Sequence, residues 1–126
     1  MTDVEEPAGT QIVVQWLDDS PPDSSTRADP LLARLDAASQ GLYVVDSFDL
    51  GGGTMDIFLY SDDPERAARR VIDIFEQGML PKGMRIGIAN SRGDQGTRTY
   101  RPVYPPDLNA FRLIYPNANE LKNHGG

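Results

Sequence analysis

The stretch from Thr54 to Gly78, TMDIFLYSDDPERAARRVIDIFEQG, decides the fold, because a strand and a helix follow each other within it. Apolar residues alternate with others up to Tyr60, which is typical of a strand with one face against a core. Asp63 then offers a helix N-cap, and Pro64 occupies the first helical position, where no amide donor is missed. The apolar residues that follow keep helical spacing: Ala67, Ala68, Val71, Ile72, Ile74 and Phe75.

The same Asp-Pro device occurs earlier, at Asp29-Pro30, and predicts a helix that ends at Gly41. Four strands are predicted around the two helices, and a C-terminal segment can pair back as an extra strand: Gln11–Leu17, Leu42–Phe48, Thr54–Tyr60, Met84–Ala89 and then Thr97–Tyr104. The order β-α-β-β-α-β predicts an α+β sandwich of the ferredoxin-like type, with two helices on one face of an antiparallel sheet. We expect one domain at 11–116, including a C-terminal extension, between flexible tails at 1–10 and 117–126.

Composition narrows the classes of function. The chain carries a net charge of −7 and contains no cysteine, so it has no thiolate nucleophile, disulfide framework or cysteine zinc site. Its start lacks the basic and apolar regions of a signal peptide, and its apolar runs are too short to cross a bilayer. We therefore expect a cytoplasmic protein. The negative charge disfavours nucleic acids and anionic membranes as partners.

Three further features have ordinary interpretations. Arg66, Arg69 and Arg70 lie on the exposed side of the second predicted helix, and we interpret them as a solvated polar face. The Gly51–Gly53 run joins two predicted strands and is not followed by Gly-Lys-Ser/Thr, so it lacks the Walker pattern. His124 is the only histidine and lies in a polar terminal segment. The sequence therefore predicts no catalytic residue and no cofactor.

Acidic residues form the candidate metal site of the sequence. In an antiparallel sheet of order 4-1-3-2, strand one ends at the same edge as the hairpin between strands two and three, so Asp18 and Asp19 are expected near Asp46 and Asp49, with Asp56 close by. Converging carboxylates of this kind hold Mg²⁺. The placement is similar to that of the metal-binding acids in palm-type polymerases and nucleotide cyclases. The hairpin departs from the diguanylate cyclases because it lacks their Gly-Gly-Asp-Glu-Phe run.

An aromatic patch is expected on the open face of the sheet. If strands two and three alternate regularly, Tyr43 and Val45 lie beside Phe58 and Tyr60 on the side away from the helices. RNA recognition motifs use aromatic residues on such a face, but their basic flank is absent here. The predicted patch needs a cover, which either the C-terminal segment or an interface with a partner would supply.

The run LGGGTMDIFLYSDDPERAA, residues 50–68, resembles one found in small bacterial proteins of unassigned function with a ferredoxin-like fold. The likeness covers only the central hairpin and the second helix. In size and acidity the chain also resembles the immunity proteins that neutralise toxins. Neither resemblance assigns a role to a particular residue of this chain.

Three hypotheses of function follow. The first is a noncatalytic module that binds another protein, or a second copy of itself, through its acidic edge or the aromatic patch. The second is a Mg²⁺-dependent phosphoryl or nucleotidyl enzyme built on the acidic cluster. The third is a dimeric sensor that binds a small ligand at the sheet edge.

Overall fold

The computed structural model describes residues 9–17, 25–51, 53–90 and 99–111. These residues form two helices and five strands in one sheet, which we number in chain order: β1 (Thr10–Leu17), α1 (Ser25–Ala37), β2 (Val44–Gly51), β3 (Thr54–Ser61), α2 (Pro64–Glu76), β4 (Arg85–Ala89) and β5 (Tyr100–Tyr104). Within the described ranges, neither helix has the length and apolar character needed to cross a membrane.

The sheet corrects the fold prediction. All four pairings are antiparallel and the strand order is β2-β3-β1-β4-β5. This order of five strands, with two helices, does not fit a ferredoxin-like β-α-β-β-α-β sandwich, so that prediction is wrong. The sheet differs from the predicted four-stranded core because β5, at the position of the predicted extra strand, pairs along the outer side of β4. β5 accommodates Pro102 because an edge strand has one side on which no amide donor is needed.

Helix α2 forms where the sequence pattern predicts it. The Asp63 side chain accepts a hydrogen bond from the backbone N–H of Arg66 at 3.4 Å, and Pro64 lies in the first turn. The apolar residues at helical spacing are buried, and they pack against β1 and β3: Ala67, Ala68, Val71, Ile72 and Ile74. Local capping and the apolar face thus agree, which is why this element is readable from sequence.

Helix α1 differs from its prediction at the N-terminus. It begins at Ser25, four residues before Asp29, so Pro30 lies inside the helix. The prediction placed Pro30 at the first helical position because proline is most easily accommodated there. In the structure Pro30 removes one amide donor from the second turn instead. Leu31 and Leu35 from this helix are buried in the core.

A β-bulge in β2 determines which of its side chains face the helices. Val45 and Ser47 pair with consecutive residues of β3, so Asp46 is an extra residue in β2. Because a bulge shifts the alternation of faces by one residue, Val45 and Phe48 both pack against the core. Asp49 consequently lies on the opposite side of the sheet.

One hydrophobic core lies between the helices and the sheet. It includes alternate residues of β1, namely Ile12, Val14 and Trp16, together with apolar residues of both helices. The polar atoms that enter this core are satisfied. Trp16 Nε1 donates to the carbonyl of Pro81 at 3.0 Å, and the Tyr43 hydroxyl donates to the carbonyl of Leu35 at 2.6 Å.

The side of the sheet that bears Val13 and Gly87, which we call the second face, is also covered. Val13 is fully buried, and the ring of Phe111 lies against Gly87. A Cβ at Gly87 would come within 2.4 Å of Phe111 Cδ1, so glycine is the residue that fits here. Phe111 also bridges to Tyr100, and the two ring centroids are 5.7 Å apart. Phe111 is the one residue of the predicted C-terminal cover, 111–115, that is described, and residues 112–126 lie outside the described residues.

Candidate functional site

The four residues of the predicted aromatic patch do not share one surface. Phe58 and Tyr60 lie on the second face, where the Tyr60 hydroxyl accepts a hydrogen bond from Gln11 Nε2 at 3.0 Å. Tyr43 and Val45 lie on the helix side instead, in or against the core. The prediction of one open face is therefore wrong. The reason is register, because Val45 is paired with the core residue Leu59.

Polar side chains form a transverse row on the second face, with each member directly opposite the next on the neighbouring strand. The row runs Asp49, Asp56, Gln15, Arg85 across β2, β3, β1 and β4. Gln15 Nε2 donates to Asp56 Oδ1 at 2.8 Å, and Thr54 Oγ1 donates to Asp56 Oδ2 at 3.1 Å. Both oxygens of the Asp56 carboxylate are thus hydrogen bonded.

Burial dominates the electrostatics of this row. Desolvation raises the pKa of Asp56 above its ordinary value, and nearby Asp49 adds to that rise. The hydrogen bonds from Gln15 and Thr54, and the charge of Arg85, act in the opposite direction. Asp56 is only 3% exposed. Asp56 is therefore enclosed within the sheet, and its carboxylate contacts Gln15 and Thr54.

The predicted metal site is only partly within the described residues. Asp18 and Asp19 lie outside them. Asp46 and Asp49 are both exposed, but the bulge separates them: Asp46 lines a cleft beside α1, whereas Asp49 faces Asp56 on the second face. Across the described ranges, no group of three or more acidic or histidine side chains is placed to hold a metal ion. The described geometry therefore brings Asp49 and Asp56 together and leaves Asp46 apart.

A cleft of about 580 Å³ lies between α1 and β2, and we call it the acidic cleft. Among the described residues, its lining combines apolar side chains with two aspartates and includes no lysine or arginine: Leu32, Ala33, Asp36, Val45, Asp46, Ser47 and Phe48. Leu32, Val45 and Phe48 are half-buried, while Asp36 and Asp46 are exposed. This arrangement suits a ligand with an apolar body and a positive charge.

The acidic cleft adjoins an edge of the sheet. β2 is the outermost strand of the sheet order, and in the part of the chain that is described it pairs only with β3. Val44, near the start of this edge, is 58% exposed. A bulge and charged residues at an edge are also the usual protection against unwanted strand pairing. In addition to these features, the edge of β2 lies next to a cleft with apolar and acidic lining residues.

Sequence reasoning missed the α1 side of the cleft. Leu32 and Asp36 are one helical turn apart and so share a helix face, but nothing local indicates that this face lies beside β2. Asp46 was predicted as a metal ligand, but its position in the cleft depends on a β-bulge that no sequence pattern predicts.

Comparison with family models, with curated proteins and with solved structures found no match for this chain.

Proposed function

We propose that this protein is a noncatalytic binding module that takes up an extended, basic segment of another protein along β2 and in the acidic cleft. The observation that carries the proposal is the combination of an outer strand with a cleft in which Asp36 and Asp46 are the charged side chains among the described lining residues. Extended peptides commonly add a strand to an exposed sheet edge, with side-chain pockets providing specificity.

The charge of the chain supports a basic ligand. The net charge is −7, and a field of this sign attracts cationic segments from a distance and raises their association rate. The half-buried side chains of Leu32, Val45 and Phe48 offer apolar contacts, which slow the dissociation of a complex. Side chains alternate between the two sides of an extended chain. A ligand with alternating basic and apolar residues would therefore direct its basic side chains to the aspartates and its apolar side chains to the apolar part of the cleft.

The proposal is tested by selecting peptides from a random library displayed against the full chain. Selected peptides should be enriched in lysine or arginine alternating with apolar residues. When a selected peptide is titrated into ¹⁵N-labelled protein, the amides of β2 and of residues 32–36 should shift. Selection of acidic peptides, or shifts confined to other elements, would contradict the proposal.

A charge variant sharpens this test. Asp36→Asn with Asp46→Asn should slow association of the selected peptide by about three- to tenfold at low salt and flatten its salt dependence. The matched control is Asp62→Asn with Asp107→Asn, which changes the net charge equally at two exposed aspartates outside the cleft. Equal slowing in both double variants would show that overall charge, rather than the cleft, attracts the peptide.

A further inference from the structure

A second cleft, of about 530 Å³, carries the opposite charge and lies where α2 meets the connection between α1 and β2. Arg66, Arg69 and Arg70 line it from the first two turns of α2, and Gln40 and Leu42 line it from the connection. We call it the arginine cleft. These three residues are a quarter of the chain's twelve lysines and arginines, in a protein whose net charge is −7.

The guanidinium groups of the arginine cleft are available to a ligand. Arg66 and Arg69 are exposed, and neither side chain forms an ion pair or hydrogen bond with another described residue. Acidic partners are within helical reach, because Glu65 and Asp73 lie four residues before and after Arg69. Glu65 pairs with Arg101 of β5 instead. On an ordinary solvated helix face, we would expect the arginines to form ion pairs with acidic residues of the same helix.

Arg70 is held in place by the fold. It is half-buried, and its Nε donates to the carbonyl of Ala38 at 2.8 Å. This bond uses one of the five donors of a guanidinium group and leaves the donors on its terminal nitrogens. Gln40, two residues after Ala38, has a backbone φ of 51°, which is uncommon outside glycine. The connection thus brings an amide side chain to the cleft opposite a fixed arginine.

We propose that the arginine cleft binds the phosphate group of a small phosphorylated molecule whose remaining part is uncharged. A phosphate monoester carries nearly two negative charges and three acceptor oxygens, which matches several guanidinium groups. One carboxylate is already satisfied by a single arginine. A long polyanion is disfavoured by Glu65 and Asp73 at the cleft and by the negative charge of the whole chain. The cleft is of the size that small-molecule sites have, and Leu42 offers apolar contact to the ligand body.

The experiment is a titration of the full, ¹⁵N-labelled chain with ribose 5-phosphate, followed through backbone amides and arginine Nε–H signals. Saturable shifts are expected at residues 66–70 and at Gln40, with a dissociation constant below about 10 mM. Ribose without phosphate, and acetate at matched ionic strength, should give no saturable shift. Absence of saturation with ribose 5-phosphate, or equal shifts with acetate, would overturn the proposal.

Variants at the exposed arginines test whether binding depends on the arginine cleft or only on the overall charge of the protein. Arg66→Gln and Arg69→Gln should each weaken binding by about tenfold, since each removes charge-assisted hydrogen bonds to phosphate. The control is Lys82→Gln, which removes one positive charge at an exposed position outside the cleft. Arg70 is left intact because it bonds to the backbone of the fold. Equal weakening by Lys82→Gln would overturn the proposal, and so would unchanged binding in both arginine variants.

Discussion

Asp56 is a buried carboxyl group whose ionisation is disfavoured by the fold. Burial raises the pKa of Asp56 above the value of 3.8 that it has when unfolded. The folded state therefore binds this proton more tightly than the unfolded state does. The contribution of Asp56 to the free energy of unfolding is most favourable at low pH, and it falls as the pH rises from 3.8 through the folded pKa.

We expect Asp56→Asn to increase the free energy of unfolding at neutral pH, because it removes a buried charge and keeps the shape of the side chain. Gln15 can still donate to the amide oxygen, and the Thr54 hydroxyl can accept from the new amide group. Urea unfolding of both proteins across acidic and neutral pH provides the measurement. The two curves should converge as the pH falls below 3.8. A lower stability of Asp56→Asn at neutral pH would refute this account.

The packing of the second face can be tested by adding a single carbon atom, a Cβ, at Gly87. In a strand, alanine is ordinarily more stable than glycine by about 0.5–1 kcal/mol. Here the new Cβ would lie 2.4 Å from Phe111, and overpacking of this kind costs about 1–3 kcal/mol, so we expect Gly87→Ala to be destabilising. In a Phe111→Ala background the same change should cost less or stabilise. A double-mutant cycle from chemical denaturation measures this coupling, and additive effects would mean that the ring does not lie on Gly87.

At the scale of elements, the bulge in β2 has the widest consequences. It is the extra residue Asp46 that lets Val45 and Phe48 face the same side, so that both line the acidic cleft. The same shift moves Asp49 to the second face, opposite Asp56, where it raises the pKa of that carboxyl. One inserted residue therefore connects the shape of the cleft to the electrostatics of the other face.

Deletion of Asp46 should leave a regular strand, because every other residue of β2 keeps its partner in β3. We expect cooperative unfolding to persist and the free energy of unfolding to change by less than about 1 kcal/mol. Peptide binding at the acidic cleft should be weaker than in Asp46→Ala, because the deletion removes both the Asp46 carboxylate and the local kink of the bulge. Asp46→Ala, which removes the carboxylate and keeps the bulge, is the control and should retain part of the binding. Loss of a cooperative transition on deletion would show that the bulge is needed by the fold.

The two helices show how far local signals reach. The N-cap at Asp63, Pro64 and the apolar spacing that follows are all local, and together they predicted α2. The equivalent signal at Asp29-Pro30 placed the start of α1 too late, because the helix extends back to Ser25. Proline is compatible with more than one position near the start of a helix. It therefore predicts that a helix is present more reliably than it predicts the first residue of that helix.

At the scale of the whole molecule, one core supports two clefts of opposite charge. The acidic cleft lies between α1 and β2, and the arginine cleft lies between α2 and the connection that leads from α1 into β2. A net charge of −7 describes neither of them, because proximity rather than the total charge sets the local field. Gln40 and Leu42 lie beside the three arginines, and this proximity depends on tertiary contacts that the sequence pattern of α2 does not contain.

By itself the sequence determined the approximate positions of the strands and helices, since hydrophobic spacing and caps act between residues a few positions apart. Only the tertiary structure decided that Tyr43 would face the helices and that Asp56 would be buried against Gln15, 41 residues away. Strand register and burial arise from contacts between distant parts of the chain. Both clefts belong to this second class, because each is lined by residues from separate elements.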